Sequence, residues 1–568
     1  MKTPLGIRLR RLLWMPVRAE ANLRGWRWLR AVDRAAEVQA RLLERILQQT
    51  AETDFGRDHG LAHVRTIHDL RKALPLAGYE RTEPYIERAK RGETEAILPR
   101  GTRLHMFAMT SGTTGRPKYI PVTDAVLKAY RDGWHVWGAA ALNDHLDAFG
   151  AKILQIASRM DEQTTLSGVP AGAMSGFTAY AQRGLIQRAY VLPAEASQAA
   201  DTATKYYLAC RLGLRDRRIL PITANPSTLL GLARAMDAQK GPLLRDLADG
   251  TLRRDLALDP ACRRRIEACL APRPKRARHL ESHIRASGHL YPKDAWELPL
   301  IGTWKGGTLG LYLRELAAYW GDAPVRDIGL IASEGRFSVP LQTEASAGVL
   351  EVTGTYFEFV PEEEIDKPDP PALLPHETET GRNYFLVLTT PGGLLRYDIR
   401  DLVRVVGRMG QAPVIEFLNK GSHVSNLTGE KITEFQVTSA VNACLDRLGL
   451  AVRNYCVAPA WGRPPCYSLL VEECDVPAGR AAELAAAADE ALADLNIEYQ
   501  AKRQSRRLGP LCVKTIPAGA WQDFDARAIA ARGGRIEQYK HKFLVNEVDF
   551  ERQFESCATH APPGNTAR

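Results

Sequence analysis

The sequence predicts an α/β protein: a large N-terminal domain with β-sheets flanked by helices, then a small, mobile C-terminal α/β domain. Three observations carry this. At 568 residues the chain exceeds what one hydrophobic core serves, so two or more domains are expected. In the first four hundred or so residues, short apolar runs end repeatedly in polar or Gly/Pro loops, the pattern of buried strands. From Ile432 onward, helical and strand patterns alternate over a stretch long enough for a second α/β domain. The expected limits are 1–425 for the large domain and 426–556 for the small one, with 557–568 a disordered tail.

In chain order, residues 33–49 set apolar and charged positions at helical spacing. The apolar run Leu104–Met109 reads as a strand feeding the polar stretch Thr110–Tyr119. Asp124–Leu142 reads as a helix capped by Thr123 or Asp124. Lys152–Ala157 and Ile219–Thr223 read as short buried strands, and Pro272–Arg278 as a basic loop. Ile328–Ala332 is another apolar strand, ending at Ser333-Glu334-Gly335. Strands then dominate at Gly348–Val360, Tyr384–Thr390, Leu402–Val406 and Val414–Leu418, where β-branched and aromatic residues are dense. The acidic, proline-rich Pro361–Pro375 reads as an exposed loop between two of them. The domain break is expected between Lys420 and Lys431, a stretch of small and polar residues. Beyond it, helices Glu434–Leu448 and Ala478–Leu495 alternate with strands Tyr455–Ala458, Tyr467–Val471 and Leu511–Ile516.

Composition narrows the function classes. Hydrophobic residues make up 45% and charged residues 25%, which is ordinary for a globular chain. Nine cysteines lie scattered with no C-x-x-C pair, which argues against a zinc site, a redox motif or a disulfide framework. No export signal is legible and no run approaches the roughly 20 apolar residues that span a bilayer, so a cytoplasmic protein without an integral membrane segment is expected. The net charge is +10, and residues 1–45 hold 11 Lys/Arg against 4 Asp/Glu, together with Trp14, Trp26 and Trp28. Such an arm could serve a membrane surface or nucleic acid; the favoured reading is an amphipathic helix packed on the body, with no nucleic-acid partner. His279 and His283 stand i, i+4 on an expected helix with His289 nearby, but Glu281 has the wrong offset for H-E-x-x-H, so no metal site is expected there. There is no G-x-S-x-G nucleophile elbow.

The most informative stretch is Thr110-Ser111-Gly112-Thr113-Thr114-Gly115-Arg116-Pro117-Lys118. Hydroxyls, glycines and a lysine after a strand can surround anionic oxygens: glycine lets the backbone approach closely, and Lys118 adds a point charge. This is not a Walker A loop, since Lys118 follows proline and Tyr119 stands where a Ser/Thr would hold Mg²⁺. Taken with the features below, the loop points to ATP chemistry. Ser333-Glu334-Gly335 closes an apolar strand, where a carboxylate can hold Mg²⁺ through oxygen or can simply be a surface turn. In Arg396-Tyr397-Asp398-Ile399-Arg400-Asp401, either Asp398 or Asp401 could accept hydrogen bonds from ribose hydroxyls, or pair with Arg396, Arg400 or Arg404. Lys420-Gly421-Ser422 and Gly429-Glu430-Lys431 suit a domain joint or an ordinary polar loop. In Gln538-Tyr539-Lys540 the lysine could be a surface residue or could swing toward an α-phosphate.

In order and spacing these features resemble the adenylate-forming superfamily and, more narrowly, the plant and bacterial acyl-acid amido synthetases of the Gretchen Hagen (auxin-responsive) family, here as a bacterial-type member. Thr110–Lys118 looks like that family's first ATP motif, Ala332-Ser333-Glu334 like its second, and Leu395–Val403 like its third, a Tyr-Arg-x-Gly-Asp run in which Asp401 is the ribose ligand. Phe417–Glu434 resembles the stretch that opens the small domain, and Asn496–Ile516 with Gln538-Tyr539-Lys540 resembles the C-terminal signature. Two departures stand out. Lys420 replaces the usual arginine and loses its bidentate fork, and Arg400 replaces the motif's glycine, which puts the local turn in question.

The resemblance implies two half-reactions. A carboxylate attacks the α-phosphorus of ATP and expels pyrophosphate; an amine or amino acid then attacks the acyl-adenylate, giving an amide and AMP. It implies Thr110, Ser111, Gly112, Thr113, Thr114 and Lys118 around the phosphates, Ser333, Glu334 and Gly335 at the second motif with Glu334 on Mg²⁺, Asp401 on ribose, and Lys118, Lys420 and Lys540 handling charge in the transition state. ATP and Mg²⁺ are thus the implied cofactors, small-molecule acids and amines the partners, and a monomer the expected state. An acyl-CoA ligase, or another adenylate-former with a different acceptor, is the alternative. Acyl-site residues are expected among Ala157–Tyr180 and Leu300–Tyr312, with Trp304 a possible wall.

Overall fold

The computed structural model describes residues 15–111, 117–180, 184–193, 195–196, 199, 201–306, 310–421, 424–425, 427–428, 430, 432–462, 464–504, 507–531, 541–554 and 558–560. Contacts divide the chain into two compact units, one of residues 1–306 with 315–417 and one of residues 307–314 with 418–568. No helix among the described residues is long and apolar enough to cross a membrane.

The first unit opens with α1 (Met15–Asp33) and α2 (Ala35–Thr50). α1 packs along α3 (Asp124–Asp144) and drives Trp28 into the core, where its Nε1 donates to Glu351 Oε1 at 3.2 Å. From Met15 onward the basic arm is therefore helical and packed on the body, although Trp26 remains 49% exposed. α2 buries Gln39, Leu42, Leu43 and Ile46, a stripe at helical spacing. Thr123 is the cap of α3, its hydroxyl accepting from the Val126 N–H.

β1 (Leu104–Ser111) and β2 (Pro117–Thr123) form an antiparallel pair, extended on the far side of β1 by the parallel strand Pro170–Gly172 and then Gln163–Thr164. Between residues 202 and 287 five helices follow, ending with Pro274–Ser287. That last helix corrects the basic-loop reading of Pro272–Arg278. Pro274 sits in its first turn, where a missing N–H is no loss and φ is already helical, so the basic residues after it are helical.

β3 (Ile331–Ala332) and β4 (Gly335–Arg336) make a short hairpin. A six-stranded antiparallel sheet follows, from β5 (Ser338–Val339), β6 (Gly348–Leu350), β7 (Tyr356–Pro361), β8 (Asn383–Thr389), β9 (Tyr397–Met409) and β10 (Ala412–Lys420), in the order β5-β6-β10-β9-β8-β7. The single strand expected over Gly348–Val360 is two. Glu351 folds back to accept from the Thr353 and Gly354 N–H groups at 3.2 and 2.9 Å. The buried Gln39 amide then binds the Val352 and Thr355 carbonyls and the Phe357 N–H at 2.7–2.9 Å. Side-chain groups meet the backbone needs of the break, so no ladder is required there. β9 runs longer than Leu402–Val406 because its second half alternates buried residues with half-exposed or exposed ones such as Arg404 and Val406, the pattern of a strand with one solvated face.

Inside this sheet lies a buried ion pair. Glu358 of β7 is 1% exposed and accepts from Arg396 Nε at 2.9 Å and Arg71 Nε at 2.8 Å, and Arg396 Nη1 also donates to the Leu74 carbonyl at 2.6 Å. Removing one partner leaves the other charge buried and unpaired. Glu358→Ala should therefore lower unfolding free energy by about 3–5 kcal/mol, read from the urea midpoint at constant slope.

The second unit holds β11 (Tyr455–Ala460), β12 (Cys466–Glu472), β13 (Cys512–Ile516) and β14 (Ala558–His560) in sequential order, with β12 and β13 parallel. Helices Glu434–Leu448 and Ala478–Leu495 pack with them around Val441, Leu469, Tyr467 and Leu484. β14 pairs with β13, so an ordered strand lies within the segment expected to be a disordered tail. Residues 557 and 561–568 lie outside the described residues.

Candidate active site

The phosphate-loop stretch is flanked by an antiparallel strand pair. β1 and β2 pair Thr110 with Lys118 and Ser111 with Pro117, so residues 112–116 span the gap between two antiparallel strands. Gly112, Thr113 and Thr114, with Gly115 and Arg116, lie outside the described residues. Thr110 is half-buried near the end of β1, and Ser111 is its last residue. Lys118, second in β2, is half-buried, and its Nζ donates to Tyr397 Oη at 3.2 Å. It lies 5.7 and 5.6 Å from the Tyr79 and Tyr397 ring centroids, so π-faces attract the ammonium from two sides. Tyr79 also pins β2. Its hydroxyl accepts from the Tyr119 N–H at 2.9 Å and donates to the Tyr119 carbonyl at 3.2 Å.

The second motif is the turn of the β3–β4 hairpin. Ala332 pairs with Gly335, leaving Ser333 and Glu334 at the tip. Glu334 is nonetheless buried, not the surface glutamate of an ordinary turn, and Ser333 is half-buried. A Cβ on Gly335 would lie 3.0 Å from Phe337 Cε1 and 3.2 Å from Thr355 Oγ1, so glycine suits this tight tip. Glu334 Oε1 accepts from Tyr397 Oη at 3.4 Å. Two hydrogen bonds in series thus run Lys118 Nζ to Tyr397 to Glu334, joining the first and second motifs across more than two hundred residues of sequence. Burial pushes the Tyr397 phenol well up, and the carboxylates of Glu334, Asp401 and Asp398 push it further, so it holds its proton as donor toward Glu334. Tyr130, buried and within the field of Glu334, has a hydroxyl with no hydrogen-bond partner. Arg336, two residues after Glu334, is buried with Nε and Nη1 unpartnered and its pKa lowered by burial to about 10.

The third motif is a bulge in β9. Tyr397 and Asp398 pair with Leu388 and Val387, but Leu402 pairs with Phe385, so residues 399–401 exceed their opposite number on β8. Arg400, in the glycine position, takes φ +61°, and Arg396 takes φ +44°. The turn that glycine would make therefore persists with arginine in it. Asp398 accepts from the Arg400 N–H at 2.8 Å and pairs with Arg400 Nε at 2.8 Å, while Arg396 pairs with Glu358 instead. Asp401 is 2% exposed at the end of the bulge, on the strand that carries Tyr397.

Lys420 ends β10, is exposed, and belongs to the second unit. Gln538, Tyr539 and Lys540 lie outside the described residues, as do Ser422, Gly429 and Lys431. Residues of the C-terminal signature converge on Asp489, which accepts from Arg503 Nη2 at 2.8 Å and the Leu511 N–H at 3.0 Å and also from Tyr499 Oη. Their role in this unit is to hold its helices to β13. Glu430, buried in the expected joint, accepts from Leu427 N, Thr428 N, Thr428 Oγ1 and Tyr467 Oη at 2.6–2.8 Å. Burial raises its pKa, but the Tyr467, Thr428 and Leu427 hydrogen bonds outweigh it and leave the carboxyl below its usual value. A lowered folded pKa stabilises above the unfolded value and is lost as pH falls. Glu430→Gln should thus cost about 1–3 kcal/mol at neutral pH, and the gap to the parent should close as pH drops below about 4, in urea titrations run across pH.

Trp304 is half-buried against the core of the first unit with Nε1 donating to the Gly329 carbonyl at 2.8 Å, and Ala157–Tyr180 runs beside β1 through Pro170–Gly172. His283 and His289 pair separately with Asp294 and Asp237 at 3.1 and 3.0 Å. Among the described residues, the group with metal-ligand spacing is Glu472, Cys474 and Asp475, and the Arg453 guanidinium sits among them, 2.9 Å from Asp475 and 2.8 Å from Cys474. The donor chemistry at the first site suits a metal–phosphate ligand better: an ammonium for phosphate oxygens and a carboxylate for a hard divalent cation, one phenol apart. Sequence reasoning named Lys118, Glu334 and Asp401 but gave no role to Tyr397, whose place in the third motif was the available signal, and it passed over Tyr79, Tyr130 and Arg336.

Comparisons with known proteins agree with this architecture. The model described as GH3 family N-terminal domain matches residues 27–325, the central-domain model 348–420 and the C-terminal-domain model 435–549. The chain is 24% identical over 556 residues to a jasmonoyl–L-amino acid synthetase of Oryza sativa subsp. japonica, covering 90% of this chain and 92% of the relative. It is 25% identical over 554 residues to an indole-3-acetic acid-amido synthetase of Arabidopsis thaliana, covering 89% and 88%. The solved structure of the GH3.15 acyl acid amido synthetase superposes with a TM-score of 0.81 at 21% identity, covering 94% of this chain and 96% of that one. The fold is thus the adenylate-forming one, and with a single domain model spanning more than half of its length, the chain belongs to the GH3 family.

Proposed function

We propose that this protein is an ATP-dependent acyl-acid amido synthetase: it activates a carboxylic acid as an acyl-adenylate, releasing pyrophosphate, and passes the acyl group to an amine or amino acid. The observation that carries the reading is the Lys118–Tyr397–Glu334 series, which sets a cation and an anion around one hydroxyl where the first two motifs meet. Family membership and the named activities of the plant relatives support it.

Adenylation joins two anions, so the site must supply positive charge and fixed donors. The reading assigns Ser111, Thr113, Thr114 and Lys118 to the phosphates and Asp401 to the ribose. Glu334 would hold Mg²⁺, which when bound neutralises phosphate charge. Tyr397 stands between the two charges, accepting from Lys118 and donating to Glu334. Lys420 and Lys540 complete the charge handling, and the use of Lys540 implies closure of a mobile small domain over residues 426–556 for adenylation and re-opening for the amine. Eight described cysteines are free thiols, which supports a cytoplasmic setting; the reading takes the protein as a bacterial-type member working as a monomer.

The deciding experiment is ATP–pyrophosphate exchange with a panel of carboxylic acids, followed by mass analysis of products formed with amino acids, amines or coenzyme A. Amides sustain the reading; a thioester alone replaces it with an acyl-CoA ligase. Lys118→Ala and Glu334→Gln should each reduce exchange by about 10²–10³-fold. Lys540→Ala should slow adenylation far more than amide formation from pre-made acyl-adenylate; equal loss in both removes its assigned role.

A further inference from the structure

The third motif departs from its family pattern at two places that the structure joins. Where the pattern reads Tyr-Arg-x-Gly-Asp, this chain reads Tyr397-Asp398-Ile399-Arg400-Asp401. The arginine slot holds an acid and the glycine slot holds an arginine. Here Asp398, 4% exposed at its side chain, grips residue 400 twice, through the backbone N–H and through Nε, each at 2.8 Å.

The energetics make this arrangement poor as a stabilising device. A non-glycine residue at φ +61° is strained. The ion pair that offsets this has an arginine side chain 51% exposed, and pairs so open to solvent stabilise little. Arg396, the other left-handed arginine of this stretch, is different: its guanidinium is spent on buried Glu358 and the Leu74 carbonyl. Arg400 spends Nε on Asp398 and presents the rest of a half-exposed guanidinium at the bulge that ends in Asp401, beside the strand position of Tyr397.

We propose that Arg400 is a nucleotide-binding residue: the guanidinium that the motif carries at position 398 is delivered from position 400, with Asp398 as the positioning residue that turns it back across the bulge. Its ligand is an anionic oxygen of the nucleotide whose ribose Asp401 would hold. This rests on the ATP reading above and deepens it. The bulge supplies the geometry, since left-handed Arg400 brings its own backbone N–H and its Nε to the Asp398 carboxylate.

Arg400→Gly is the decisive variant, because glycine suits φ +61° and should fold without loss. Its thermal midpoint should be unchanged or higher, while KM for ATP in pyrophosphate exchange rises about ten-fold with kcat altered less. Arg400→Lys should fall between it and the parent. The pair variant Asp398→Arg with Arg400→Gly restores the family pattern and should bring KM back to within about three-fold of the parent. Asp398→Arg alone sets two guanidinium groups together and should be worse than either. Direct titration of the parent with Mg²⁺-ATP separates the two levels. If the parent binds ATP and Arg400→Gly binds it equally well, or the pair variant is no better than the singles, Arg400 is structural and the proposal falls alone. If the parent does not bind ATP, the functional reading fails and takes this one with it.

Discussion

The site depends on one constraint, that a half-buried ammonium and a buried carboxylate share a phenol hydroxyl. Lys118 donates to Tyr397, and Tyr397 donates to Glu334. Direct contact between the two charges would quench both. A neutral group between them accepts from one and donates to the other. The raised pKa of Tyr397 is part of this arrangement, because an ionised phenol among Glu334, Asp398 and Asp401 would add a fourth negative charge.

Three elements have to meet for this to occur. β2 brings Lys118, the tip of the β3–β4 hairpin brings Glu334, and the start of β9 brings Tyr397. β9 is the common member. It pairs with β8 on one side and β10 on the other, its Asp398 N–H donates to the Ala77 carbonyl at 2.9 Å, and the Glu358–Arg396 pair anchors its lead-in residue. That investment in buried charge just before Tyr397 is the price of a fixed phenol. The bulge that follows then moves Asp401 out of the regular ladder.

Several sequence expectations were set by local chemistry and therefore held. Thr123 before an apolar helical pattern is a cap wherever it occurs, and Glu434–Leu448 and Ala478–Leu495 are helices by periodicity alone. The misses have tertiary causes. The break in Gly348–Val360 depends on Gln39, more than three hundred residues away, supplying hydrogen bonds the strand lacks. Pro272–Arg278 is the exception, a local misreading, since Pro274 suits the first turn of a helix. Tyr499, Arg503 and Leu511 gather on Asp489, which periodicity would class as a polar position on a helix.

By itself, the order of residues pointed to the fold class and named the candidate groups: a lysine after a hydroxyl-glycine loop, a glutamate at a strand end, and an aspartate closing a tyrosine-led run. Those are properties of side-chain type and local spacing, and they need no long-range information. Only the tertiary structure decided that Tyr397 stands between Lys118 and Glu334, and that Asp398 is taken up by Arg400, because both depend on which strands pair and in what register. A hydrogen bond reads distances of about 3 Å, and distances between residues hundreds of positions apart are set by packing.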